Sequence, residues 1–159
     1  MTSPRSPVAP AKDEVIHLRA SLPVAPADAF AWFTRNELLV RWLAPVADVE
    51  PWVGGRYELF WRPDEREYDS TIGCRVTALE HGEVVGFQWR SPRQFRDFAN
   101  AADPLTHVLA SFHPGEGGSR VHLVHTGWRS TPDWDEARRW QSRAWAVALA
   151  ALGEALAGA

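Results

Sequence analysis

Apolar and polar residues alternate from Val15 to Leu22, with Ile16, Leu18, Ala20 and Leu22 on one side. This pattern predicts a half-buried strand ended by Pro23. Pro26 to Phe33 predicts a short helix with proline near its start, and Glu37 to Leu43 a second one stopped by Pro45. From Val46 onward the pattern is that of strands. Val46 to Trp52 and Arg56 to Trp61 form a hairpin around Gly54-Gly55, with Tyr57, Leu59 and Trp61 on one face. Asp69 to Glu80 and Glu83 to Trp89 form a second around His81-Gly82, setting Ile72, Cys74 and Val76 on the face of Val85, Phe87 and Trp89. His107 to His113 and Ser119 to Thr126 form a third, with Val108, Ala110 and Phe112 inward opposite Val121, Leu123 and His125. Between the last two hairpins, Arg90 to Leu105 reads as a loop carrying Phe95 and Phe98, long enough to mark function or mobility in a compact domain.

The last element is the longest. Asp133 is read as its N-cap, with Glu136 completing a capping box. Trp145, Leu149, Leu152 and Leu156 then recur at spacings of 4, 3 and 4, flanked by Trp140, Ala144, Val147, Ala148 and Ala151. Such a stripe needs a sheet to lie on. Residues 1–12, with three prolines among small polar residues, read as a flexible tail, and residues 13–159 as a single domain. The order of one strand, two short helices, six strands and a long helix lacks the βαβ alternation of a parallel sheet. It predicts an α+β fold in which a curved antiparallel sheet of about seven strands grips the C-terminal helix.

Several segments carry a family resemblance. They are Val24-Ala25-Pro26-Ala27-Asp28-Ala29-Phe30, Glu37-Leu38-Leu39-Val40-Arg41-Trp42-Leu43-Ala44-Pro45, Gly54-Gly55-Arg56-Tyr57, Phe87-Gln88-Trp89, and the run from Gly118 to Trp128. In order and spacing the chain resembles the SRPBCC superfamily, with its START-like, birch-pollen-allergen-like helix-grip fold. Within it, the chain is similar to the branch named after the C-terminal domain of the heat-shock-protein-90 ATPase activator. The resemblance spans about Glu14 to Leu156. It implies a cavity between sheet and helix that suits a lipid-like or aromatic molecule. Leu43 stands where the family pattern has a second Trp, and the Arg90–Leu105 loop is longer and more aromatic than usual.

Composition narrows the function. Seventeen basic against twenty acidic residues give a net charge of −3, which argues against the basic surface that nucleic acid requires. A single cysteine excludes an internal disulfide and a CxxC motif. No apolar run approaches the roughly 20 residues of a membrane span, and Met1 to Pro7 lacks a signal-peptide core, so a cytoplasmic protein is expected. Arginine in place of lysine at every basic position but Lys12 is the mark of a GC-rich, bacterial genome. The distinctive entry is tryptophan, nine residues against seven Phe and two Tyr. Each large aromatic buries roughly 150–250 Å².

The candidate ligand-binding residues follow from the inward faces and, for the cavity itself, from the resemblance. They are Trp42, Tyr57, Leu59, Trp61, Cys74, Val76, Phe87, Trp89, Phe95, Phe98, Phe112, His125, Trp140 and Trp145, with the Phe95/Phe98 loop as a lid. The competing reading is that these rings fill the interior themselves, and a buried indole N–H then needs a polar partner inside. His125 is the one titratable group on the inward face of its strand and could act as a general acid or base. His122, three residues away, points to the opposite face, so the two do not form a metal pair. No metal and no cofactor are expected, because HExxH, a Cys cluster and GxSxG are all missing.

The leading reading is non-enzymatic binding of a small apolar or aromatic ligand. An alternative is a cyclase/aromatase-like enzyme using His125, with Tyr57, Arg41 or Arg56 assisting. A further alternative is a chaperone-contact or homodimer module using an edge strand or the turn residues Trp52 and Trp128.

Overall fold

The computed structural model describes Val8 and residues 14–158. The tail read over residues 1–12 lies, apart from Val8, outside the described residues. The elements run β1 (Ile16–Leu22), α1 (Pro26–Thr34), α2 (Asn36–Leu39), β2 (Val46–Val49), β3 (Tyr57–Phe60), β4 (Val76–Glu80), β5 (Val84–Trp89), α3 (Arg96–Ala99), β6 (Thr106–Gly115), β7 (Gly118–Thr126) and α4 (Pro132–Ala157). Five strands form one antiparallel sheet in the order β1-β7-β6-β5-β4, and β2 pairs with β3 in a separate two-stranded sheet.

The seven expected strands are therefore present, but divided. Where β3 would extend the main sheet, the chain from Asp69 to Arg75 is irregular. Asp69 (φ 48°) and Gly73 (φ 84°) both take left-handed backbone there. The Thr71 hydroxyl takes the place of a ladder partner, accepting from Leu59 N–H (2.8 Å) and donating to Tyr57 O (2.9 Å). Tyr57 N–H to Cys74 O (2.9 Å) and Trp61 N–H to Asp69 O (3.1 Å) tie the small sheet to this segment. The β4 strand is correspondingly shorter than the predicted Asp69–Glu80. The Gly54-Gly55 turn requires its glycine at 55, where a Cβ would collide with the carbonyl oxygen of Glu50.

The β6–β7 ladder has the predicted register, with Val108 opposite His125, Ala110 opposite Leu123 and Phe112 opposite Val121, all six side chains buried. On α4, Trp145, Leu149, Leu152 and Leu156 are buried as the periodicity requires. The cap is one turn-edge earlier than Asp133: the Thr131 hydroxyl accepts from Trp134 N–H (3.3 Å), and Pro132 occupies the first helical position. A threonine followed by proline outcompetes the capping box because proline is preorganised there and has no N–H to satisfy. The second helix closes after Leu39, and residues 40–43 continue as turns. Asn36 holds it to β2 by pairing with the Val49 backbone, accepting N–H (2.8 Å) and donating to the carbonyl (3.3 Å).

The segment between β5 and β6 is structured. It contains a 3₁₀ turn (Arg93–Phe95) and α3, and the Asn100 amide bonds both the N–H (2.7 Å) and carbonyl (2.8 Å) of Ser91. Phe95 and Phe98 pack with Trp128, Trp134, Ala137 and Ile16 in a second apolar cluster, apart from the main core.

Candidate functional site

The inward face of the sheet is filled by aromatic rings around Tyr57. Tyr57 stacks on Phe87 (3.7 Å between centroids, 4° between planes), and its hydroxyl donates to Phe33 O at 2.7 Å. Phe33 in turn meets Trp42 and Phe112. Burial without a charged neighbour pushes the Tyr57 hydroxyl far above the ordinary phenol range. Leu59, Cys74 and Val76 are likewise fully or nearly fully buried. Burial pushes the Cys74 thiol up to about 12, so it packs as a protonated small hydrophobe.

Next to this filled region lies a groove of about 670 Å³, partly enclosed. Its walls are Trp42 and Leu43 after α2, Trp61 after β3, Trp89 at the end of β5, and Trp140, Gln141, Ala144, Trp145, Ala148 and Ala151 of α4. Space remains because three alanines occupy the α4 positions beside the buried stripe, where longer side chains would reach across. Four of the wall indoles have their N–H satisfied within the protein: Trp42 by Trp32 O (2.9 Å), Trp61 by Leu43 O (2.9 Å), Trp89 by Gln141 Oε1 (3.2 Å) and Trp145 by His125 Nδ1 (3.0 Å). These bonds orient the rings, leaving the half-buried faces of Trp61 and Trp140 toward the opening. Trp89 meets Trp145 at 4.9 Å and Trp61 at 5.8 Å.

Of the sequence-predicted residues, the structure brings Trp42, Trp61, Trp89, Trp140 and Trp145 together around the groove. Tyr57, Leu59, Cys74, Val76, Phe87 and Phe112 lie in the packed interior. Phe95 and Phe98 do not cover the groove as a lid; with Trp140, Asp133 and Glu136 they border a separate, smaller hollow. The loop reaches the groove through Pro92 and Gln94 instead.

His125 sits behind the wall, fully buried. The indole N–H of Trp145 can only donate, so Nδ1 is the acceptor and the Nε2–H donates to Thr106 Oγ1 at 3.0 Å. Desolvation, aided by His107, lowers its pKa to about 3 and keeps the ring neutral. Its backbone carbonyl accepts from Trp128 Nε1 (3.1 Å), which fixes Trp128 in the interior rather than at a surface turn. Trp52 is 56% exposed, as its turn position implies. Arg41 lies over the Trp32 ring and Arg56 pairs with Asp48 and Glu50, so neither reaches the groove. His122 faces outward and shares a 3.0 Å hydrogen bond with His17. Among the described residues, no cluster of three or more His, Cys, Asp or Glu could hold a metal ion.

Sequence reasoning missed the polar members of the site: Gln141, and at the rim Arg62, Asp69, Ser70, Arg90 and Arg143. Gln141 had a signal. It lies one turn before Trp145, in register with the apolar stripe, where a polar residue is out of place. The arginines had none, since they meet only through tertiary packing.

An antiparallel sheet wrapped on one long C-terminal helix, with a groove between them, defines a START-like helix-grip protein. The model for "Activator of Hsp90 ATPase homolog 1-like protein" matches residues 23–157, and the chain belongs to that family. No curated protein matches the chain. Among solved structures it is similar to a protein of Mesorhizobium loti (TM-score 0.71, 21% identity, covering 90% of this chain and 96% of that one). It is also similar to a protein described as the Aha1 dimer from Colwellia psychrerythraea (TM-score 0.70, 19% identity, covering 91% and 96%). A third is a protein of Rhodobacter sphaeroides (TM-score 0.68, 20% identity, covering 91% and 93%). No helix among the described residues is long and apolar enough to cross a membrane.

Proposed function

We propose that the protein binds a small, flat apolar molecule in the groove between α4 and the ends of β3 and β5. The observation that carries this reading is the convergence of five tryptophans on a space of about 670 Å³. That volume falls within the roughly 300–1,000 Å³ of small-molecule sites. A wall of indoles with most N–H groups already satisfied presents ring faces, which favour stacking with a planar ligand over hydrogen bonding. Binding is favoured over acid–base catalysis because His125 has both ring nitrogens engaged and stands behind the wall as a neutral group.

The test uses N-phenyl-1-naphthylamine, a neutral apolar fluorophore, with the wild-type protein and an Ala148→Trp variant that fills the groove from α4. Saturable binding by the wild type and its loss in the variant is expected. Equal binding by both would overturn the reading.

A further inference from the structure

We infer that the occupant of the groove is an anionic aromatic molecule, a planar ring system bearing a carboxylate, held ring-down on the tryptophans with its charge at an arginine rim. The inference rests on the binding reading above and adds the chemical class. The rim carries Arg62, Arg90 and Arg143, and one carboxylate, Asp69. Asp69 is already committed to Arg93, which binds it through Nε (2.9 Å) and through its backbone N–H (2.9 Å). Arg62 approaches Asp69 only at 3.9 Å. Arg90 spends one N–H on Ile72 O (2.9 Å), and among the described residues the ion pairs engage Arg56, Arg62, Arg93 and Arg138 but neither Arg90 nor Arg143. On a chain of net charge −3, an excess of positive charge at the mouth of an aromatic groove is a local feature that the overall composition does not supply.

Gln141 gives a second, independent pointer. Gln141 is 4% exposed as a whole residue and lines the groove. Because the Trp89 indole can only donate, the Gln141 atom that meets it is Oε1, which fixes the amide orientation. Its Nε2 has no partner among the described residues. Buried unpartnered side-chain atoms among the described residues are confined to Ser119 Oγ and Arg138 Nε, so Gln141 Nε2 is a donor left open to the groove, where a ligand acceptor can reach it. An oxygen acceptor on the occupant would satisfy that donor. A carboxylate meets both demands: its oxygens accept from a neutral amide donor and attract the guanidinium groups. A purely hydrocarbon ligand would meet neither.

The experiment compares 2-naphthoic acid with 2-naphthalenemethanol, which share a ring and differ in charge, by titration calorimetry at 50 and 300 mM salt. The acid is expected to bind about tenfold tighter at low salt, an advantage that shrinks at high salt while the alcohol's affinity stays constant. An Arg62→Gln/Arg143→Gln variant, altered only at exposed positions, should weaken the acid severalfold and leave the alcohol unchanged. Gln141→Glu, which keeps an acceptor for Trp89 but removes the donor, should weaken the acid further. Equal affinity for both probes, each blocked by Ala148→Trp, would overturn the anionic class while leaving groove binding intact. Binding of neither probe would overturn both.

Discussion

The two halves of the space under α4 are built from the same residue types and end in opposite states. Around Tyr57, rings from β3, β5, β6 and α1 meet face to face or edge to face, and no room is left. Beside it, Trp89 is in ring contact with both Trp145 (4.9 Å) and Trp61 (5.8 Å), yet these three bound a groove. The difference lies in what stands opposite. The Tyr57 region faces Phe30 and Phe33 of α1, whereas the groove faces Ala144, Ala148 and Ala151 of α4. Aromatic richness alone therefore does not leave a groove. Small residues opposite the rings do.

Breaking the filled half should cost the most. Phe87 is fully buried and stacked on Tyr57, so Phe87→Ala is expected to lower unfolding free energy by about 4 kcal/mol in urea denaturation. A loss below about 1 kcal/mol would mean the interior is not packed as described.

Next in size is the pH effect of His125. Its pKa is near 3 when folded and 6.5 when free, so the unfolded chain binds the extra proton between these values. Its contribution is complete above pH 6.5 and is lost as pH falls toward 3, by on the order of 4 kcal/mol in all. His125→Gln should flatten the difference between stability at pH 6.5 and at pH 4 relative to wild type. Parallel pH profiles for the two proteins would contradict a buried neutral histidine.

On the open half the balance reverses, with small stability changes and large binding changes. Trp61→Ala removes a half-buried ring and is expected to cost about 1–2 kcal/mol of stability, while lowering affinity for N-phenyl-1-naphthylamine at least about tenfold. The smallest stability effect is expected for Ala148→Trp, within about 1 kcal/mol because the added ring enters existing space. Calorimetric melting would check it, and a loss of several kcal/mol would show that the groove closes in solution.

Much of the architecture could be read from the chain. The alternation in β6 and β7 fixed which residues face inward, down to the pairing of Val108 with His125. The four-three-four spacing on α4 located the buried stripe. What could not be read were interruptions set by single side chains. Thr71 replaces a ladder partner and divides the sheet, and Asn100 with Ser91 ties down a segment that looks like an open loop. Among the candidate site residues, inward orientation was legible for Tyr57, Phe87 and Trp89 alike, because period-two patterning reports the face of a strand. It does not report distance along the groove, and so could not tell Trp89, which lines it, from Phe87, which fills the core.

The sequence by itself determined the family, the order of elements and the inward set of aromatic residues, because these depend on local periodicity and short motifs. The tertiary structure decided which of those aromatics bound open space, and gathered Arg62, Arg90 and Arg143 around them. Volume and net local charge are properties of residues far apart in the chain. They come into being only when α4 is laid across the sheet.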